Sequence, residues 1–178
     1  MRRFAVPLIA LLLAAPQLAR AAEPVCLTPR EFTALSTYAL PSVIGGTART
    51  CSASLPPTAY LPRHGSELAQ RYAAGKAKAW PGARAAFLKM SGATNPEAAE
   101  LFATMPDDSL QPVADAALTG IVAAKLKPES CPAVDRVLAL LSPLPAENAA
   151  ELIALATGLA AKAGPGGPRF GKFAICKG

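Results

Sequence analysis

Apolar side chains recur along most of the chain at intervals of three and four positions, the spacing of one face of an α-helix. Proline, glycine and capping residues separate these stretches, and no pair of alternating runs is joined by a hairpin turn. The pattern therefore predicts an all-α domain, a compact bundle of about seven or eight short helices. The predicted helices cover roughly residues 29–39, 42–51, 66–80, 82–91, 96–105, 110–127, 130–142 and 145–163.

The first helix has the clearest start signal in the chain. In the segment LTPREF, Thr28 and Glu31 stand at the two positions of a capping box, and the proline between them suits the first helical position. Pro41 predicts the end of this helix, because the residue before a proline is pushed out of the helical region. A second helix then begins at Pro41 or Ser42, and the proline-rich residues 52–65 predict an extended loop.

The first 21 residues have the three zones of a secretory signal peptide. A basic start, MRR, is followed by an apolar stretch over residues 4–15 and by small residues before a cleavage position after Ala21. The apolar stretch is shorter than the roughly 20 residues that a membrane-spanning helix needs. We therefore predict Sec-type export and a single mature domain, residues 22–178, that is periplasmic or secreted and has no transmembrane segment.

The mature domain keeps four cysteines, an even number that predicts two disulfides in an oxidising compartment. If the first two helices fold back as a hairpin, Cys26 and Cys51 meet, which favours pairing Cys26 with Cys51 and Cys131 with Cys176. Four cysteines permit three pairings, so the other two stay open.

The last fifteen residues, GPGGPRFGKFAICKG, begin where Gly164 ends the last predicted helix. Their glycines and prolines do not suit a helix, whereas Phe170 and the apolar residues after it can lie on the bundle. We expect a non-helical strap that Cys176 fastens to the body, with Arg169 and Lys172 directed outward.

Basic and acidic residues separate into two blocks in the middle of the chain. Residues 63–89 hold six cations against Glu67 alone, and residues 90–124 hold five acids and no base. Either the helices of the two blocks pack together and neutralise each other, or the cations form a surface that steers a partner of opposite charge. The cations are Arg63, Arg71, Lys76, Lys78, Arg84 and Lys89, and the acids are Glu97, Glu100, Asp107, Asp108 and Asp115.

Candidate chemistry is sparse in this sequence. His64, the only histidine, stands three residues before Glu67, so a general base oriented by a carboxylate is a weak candidate for a catalytic site. A surface histidine beside a helix start explains the same residues without catalysis. One histidine and the spacing of the cysteines match no common zinc or haem site, and no phosphate-binding motif is present, so we expect neither metal nor cofactor.

These features predict a non-enzymatic binding or accessory protein of the cell envelope that meets another envelope protein through a bipolar charged surface. Removal of the signal peptide takes away three arginines and lowers the net charge from +6 to +3, too small an excess for a nucleic-acid partner. The first alternative is a carrier of a lipid or other apolar ligand, although alanine-rich helices pack too closely for a large cavity. The second is a hydrolase that uses His64 as general base.

Overall fold

A computed structural model of the protein describes residues 26–162 and 174–176. These ranges hold seven α-helices, one 3-10 helix over Pro128–Ser130 and two paired strands of two residues each. The predicted all-α class with two disulfides is therefore confirmed. The helices are α1 Pro29–Cys51, α2 Tyr60–Ala73, α3 Lys76–Thr94, α4 Pro96–Thr104, α5 Asp107–Lys125, α6 Cys131–Leu141 and α7 Ala146–Lys162, and the strands are β1 Cys26–Leu27 and β2 Ala174–Ile175.

Helix α1 is the centre of the bundle and packs against α2, α3, α5 and α7. One cluster of buried side chains joins α1 to α2, α6 and α7, with Ile44, Leu68 and Tyr72 among its members. A second cluster joins α1 to α3 and α5 through Tyr38 and Trp80. Because α1 contributes to both clusters, its burial largely determines how the other helices are placed.

The predicted capping box at the start of α1 is confirmed. The Thr28 hydroxyl accepts a hydrogen bond from the Glu31 backbone N–H over 3.2 Å, and a Glu31 carboxylate oxygen accepts one from the Thr28 N–H over 2.9 Å. The two residues thus satisfy backbone donors that the first helical turn would leave unpaired.

The predicted end of this helix at Pro41 is wrong, because α1 continues through Pro41 to Cys51. An interior proline costs roughly 3 kcal/mol, since it has no N–H to donate to the carbonyl four residues earlier. Leu40 and Ile44, on either side of Pro41, are buried in the core, and each contributes about 1.5–3 kcal/mol by leaving water. Burial therefore offsets the cost, and the two expected helices are one.

The predicted disulfide pairing is wrong for the same reason. A helix rises about 1.5 Å per residue, so the 23 residues of α1 extend over roughly 34 Å between Pro29 and Cys51 and do not fold back as a hairpin that would bring Cys51 to Cys26. The bonds formed are Cys26–Cys176, with Cα atoms 4.9 Å apart, and Cys51–Cys131, with Cα atoms 5.6 Å apart.

Three further helix boundaries differ from the predicted ones. Helix α2 begins at Tyr60, so His64 lies inside a helix and not in the expected loop. Its first two backbone N–H groups, of Tyr60 and Leu61, donate to the carboxylate of Asp135 on α6, over 3.2 and 2.6 Å. Helix α2 ends at Ala73, and α3 begins at Lys76 after the two connecting residues Ala74 and Gly75. Helix α3 then continues through Pro81.

The end of the chain returns to the start of α1. Strand β2 pairs with β1 in parallel, and the Cys176 N–H donates to the Leu27 carbonyl over 2.9 Å. Cys176 is thus fastened to Cys26 and not to Cys131 as expected. The predicted orientations of Arg169 and Lys172 lie outside the described residues.

Candidate binding surface

The six cations of the predicted surface lie on two neighbouring stretches of the fold. Arg63 and Arg71 are on α2, and the other four are on α3. Within the described residues, three of the six form ion pairs with carboxylates of other helices: Lys76, Arg84 and Lys89. Two of the partners, Asp115 and Asp107, belong to the acidic block, so the two charge blocks partly neutralise each other through helix packing, which was the simpler of the two interpretations.

Lys76 makes the most enclosed of these pairs. Its ammonium lies 2.6 Å from one carboxylate oxygen of Asp115 on α5 and 2.7 Å from the other. Ser42 on α1 donates to the same carboxylate over 2.7 Å, so Asp115 accepts hydrogen bonds from two helices. The Lys76 ammonium also stands 4.3 Å from the centre of the Tyr38 ring, a cation–π contact.

Arg84 links α3 to the end of α4 and to the start of α5. Its guanidinium donates to the Ala103 carbonyl over 3.0 Å. Its Nε lies 3.1 Å from a carboxylate oxygen of Asp107, but the N–H has no hydrogen-bond acceptor in line, so we take this contact as electrostatic attraction only. Arg84 is thus held by the fold and is not available as a docking group.

Lys89 contacts the capping box of α1. Its ammonium lies 2.6 Å from one Glu31 carboxylate oxygen and 2.8 Å from the other. The hydrogen bond from the Lys89 ammonium is the main cause that lowers the pKa of Glu31 below its usual range. Burial acts in the opposite direction, and hydrogen bonds from the Thr28 backbone and hydroxyl lower the pKa further. Glu31 therefore stays ionised and joins the start of α1 to the end of α3.

The remaining three cations, Arg63, Arg71 and Lys78, are exposed and form no ion pair within the described part of the chain. Arg71 does donate to the Ser142 carbonyl over 2.9 Å, which fixes its guanidinium at the surface. On the acidic side, three carboxylates likewise remain exposed without an ion pair among the described residues: Glu97 and Glu100 on α4 and Asp108 on α5. Three cations of the basic block and three carboxylates of the acidic block therefore remain exposed at the surface after the internal ion pairs have formed.

His64 and Glu67 lie on the solvent side of α2. The His64 Nδ1 stands 3.9 Å from a Glu67 carboxylate oxygen, and the two side chains are 45% and 73% exposed. The His64 ring also lies 5.2 Å from the ring of Tyr60, centre to centre. Because 3.9 Å exceeds the 2.6–3.2 Å or so of a hydrogen bond, the Glu67 carboxylate and the imidazole are not hydrogen-bonded in this structure.

A cavity that the sequence did not indicate lies between the end of α2 and the loop that joins α6 to α7. Its volume is about 410 Å³, and its wall includes Tyr72, Leu144, Arg71 and Glu147. The two sides of this cavity are some seventy residues apart in sequence, as the hydrogen bond from the Tyr72 hydroxyl to the Leu141 carbonyl illustrates. No local pattern could therefore have placed them together.

Neither a metal site nor a membrane span is found in residues 26–162 and 174–176. Within these ranges no three His, Cys, Asp or Glu side chains are grouped so as to hold an ion. The helices there are also too short or too polar to cross a bilayer.

Comparison of the chain with protein-family models, with curated proteins and with solved structures finds no match.

Proposed function

We propose that the protein is an exported, non-enzymatic binding or accessory protein of the cell envelope, and that it binds another envelope protein through its exposed charges. The signal peptide predicted over residues 1–21, which lie outside the described part, supports export. The two disulfides support it as well, because such bonds form and persist in oxidising compartments.

The observation that carries the proposal is the pattern of charges left over after internal pairing. Of the basic block, Arg63, Arg71 and Lys78 lie unpaired on α2 and α3, whereas the unpaired carboxylates of the acidic block lie on α4 and at the start of α5 in the described structure. Exposed charges of this kind add little to folding stability but strongly affect the rate and specificity of association. A partner with a complementary arrangement of charges is therefore the best fit to this surface.

A charge-reversal variant tests the proposal directly. The purified protein is immobilised on a resin and incubated with envelope extract. The captured proteins are identified by mass spectrometry and are then purified so that their affinity for the protein can be measured. We expect R63E/R71E/K78E to lose the captured partner, and the wild type to lose it as salt rises and shortens the Debye length below about 8 Å.

A matched control separates the position of the charges from the net charge. K125E/K127E/R136E reverses three exposed cations elsewhere on the molecule and changes the net charge equally. It should keep the partner. Equal loss in both triple variants, or binding that is indifferent to salt, would contradict the proposed surface.

A carrier of a lipid or other apolar ligand is the second candidate, and the cavity beside Tyr72 favours it. Its volume of about 410 Å³ falls in the range of roughly 300–1,000 Å³ in which small-molecule sites lie. Native mass spectrometry of protein purified without detergent should then show a bound small molecule that A74W, a bulky change in the cavity wall, reduces. A clean spectrum of the wild type would remove this candidate.

A further inference from the structure

The two disulfides lie in different surroundings. Cys51 and Cys131 are both 0% exposed and belong to the core cluster that includes Ile44 and Leu138. Cys26 and Cys176 are only half-buried and lie at the edge of the molecule, where the end of the chain meets the start of α1. Cys51–Cys131, the inner bond, is therefore enclosed in the core, whereas Cys26–Cys176, the outer bond, joins two residues that are partly exposed to solvent.

This difference decides which bond a thiol can attack. Thiol–disulfide exchange begins when a thiolate reaches a disulfide sulfur, so its rate depends on access. At Cys51–Cys131 the core must open first, which costs a large part of the stability of the fold. We propose that Cys26–Cys176 is a thiol–disulfide exchange site that an external dithiol opens while Cys51–Cys131 stays closed.

The exchange transfers two electrons. One thiolate of the dithiol attacks the sulfur of Cys26 or Cys176, the S–S bond breaks, and the other cysteine leaves as a thiolate that takes up a proton. The second thiol of the reagent then attacks the mixed disulfide, becomes oxidised to a disulfide with the first, and releases the second cysteine. The products are two protein thiols and one reagent disulfide.

Opening this bond frees the end of the chain from α1. In the described structure Ala174–Ile175 also pairs in parallel with Cys26–Leu27, and the Cys176 N–H donates to the Leu27 carbonyl. So short a ladder is not stable alone. The body of the bundle keeps both core clusters and the Cys51–Cys131 bond, so the released chain end can close again when the thiols are oxidised.

Partial reduction followed by alkylation tests the assignment. The oxidised protein is treated with dithiothreitol without denaturant, quenched in acid, alkylated and mapped by peptide mass spectrometry. We expect Cys26 and Cys176 to be labelled about tenfold or more faster than the other two cysteines. Circular dichroism should show that the helical signal persists when only the outer bond is open, and air oxidation should restore that bond.

Two controls make the result decisive. In guanidinium chloride at a concentration that unfolds the chain, the two bonds should be reduced at similar rates, since burial no longer protects the inner one. The variant C26A/C176A should keep its helical signal and show no fast labelling. Equal or inverted rates in the native protein, or loss of helix in step with reduction of Cys26–Cys176, would overturn the proposal.

Discussion

The Asp115 carboxylate connects three helices of the described structure. It lies on α5, accepts from Ser42 on α1, and pairs with Lys76 on α3, whose side chain is 20% exposed. Lys76 in turn stands over the ring of the buried Tyr38. When one partner of a pair that is largely removed from water is deleted, the other is left without its counter-charge, so the cost exceeds that of a surface pair.

We predict that D115A lowers the free energy of unfolding by about 2 kcal/mol, because it leaves the Lys76 ammonium and the Ser42 hydroxyl without their acceptor. Urea unfolding followed by circular dichroism measures the change. K78A, which removes an exposed lysine without an ion pair in the described part of the chain, should stay within about 0.5 kcal/mol of the wild type. Indistinguishable curves for D115A and K78A would show that the network contributes nothing.

The buried hydroxyl of Tyr38 should make the free energy of unfolding depend on pH in the alkaline range. Burial, followed by the nearby charge of Asp115, raises the pKa of its hydroxyl well above the usual value of 10.0. The folded state thus holds this proton more tightly than the unfolded state does, so the contribution is complete below about pH 10 and is lost as the pH rises above that value.

The wild type should therefore lose stability above about pH 10, by up to about 1.4 kcal/mol per pH unit for this group, whereas Y38F should lose less over the same interval. Burial also raises the pKa of Tyr72, so Y38F still retains part of the slope. Urea unfolding at several pH values measures both slopes. Parallel curves for the wild type and Y38F would assign the alkaline loss to other groups.

At the scale of elements, the contact between α1 and α3 depends on the absence of a side chain. A Cβ atom added to Gly82 would lie 2.7 Å from the Cβ of Ala34 on α1, which is far closer than two carbon atoms can approach. The helices would have to move apart, and overpacking of this kind costs about 1–3 kcal/mol. Alanine is favoured over glycine inside a helix by roughly 1 kcal/mol, so the steric cost outweighs the gain in propensity.

We predict that G82A destabilises the protein by up to about 2 kcal/mol. G120A on α5 is the matched control, because no atom lies within 4 Å of the Cβ it would add. That variant should gain roughly 0.5–1 kcal/mol from helix propensity alone. Thermal or urea unfolding of the two variants should shift in opposite directions, and a stabilised G82A would show that α1 and α3 separate without cost.

Capping motifs in the sequence predict where a helix begins, but prolines do not reliably predict where one ends. Thr28 and Asn95 cap α1 and α4 as expected, because a capping interaction involves residues only three positions apart. Pro41 and Pro81 lie inside helices, since burial of their neighbours against other elements offsets a cost that local rules treat as decisive. The wrong disulfide pairing follows directly from the misplaced end of α1.

The pairing of charges between helices was also predictable only in part. The two blocks of opposite charge correctly indicated helices that pack together, and Lys76 and Asp115 are the clearest result. Which cations would remain unpaired depends on how α2 and α3 are rotated against their neighbours, and this is set by tertiary packing. The carboxylate of Asp135 at the start of α2 comes from about 75 residues further along the chain, beyond any local pattern.

At the scale of the whole molecule, the two disulfides are nested. The inner bond spans 80 residues and lies within the 150 residues that the outer bond spans. Closing the inner bond shortens the effective loop of the outer one to about 70 residues, so the chain-entropy model assigns each bond a similar contribution of about 4–5 kcal/mol. What distinguishes them is burial, because both sulfurs of the inner bond also belong to the core.

We therefore predict that C51A/C131A destabilises the protein more than C26A/C176A does, by about 2 kcal/mol, since alanine at the two buried positions leaves empty volume in the core cluster in addition to the lost cross-link. Unfolding in guanidinium chloride, with both variants at the same protein concentration, measures the difference. If C51A/C131A fails to fold while C26A/C176A folds, the predicted order of the two stabilities is still supported. Equal midpoints, or a larger loss in C26A/C176A, would mean that the link between the ends of the chain matters more than the link through the core.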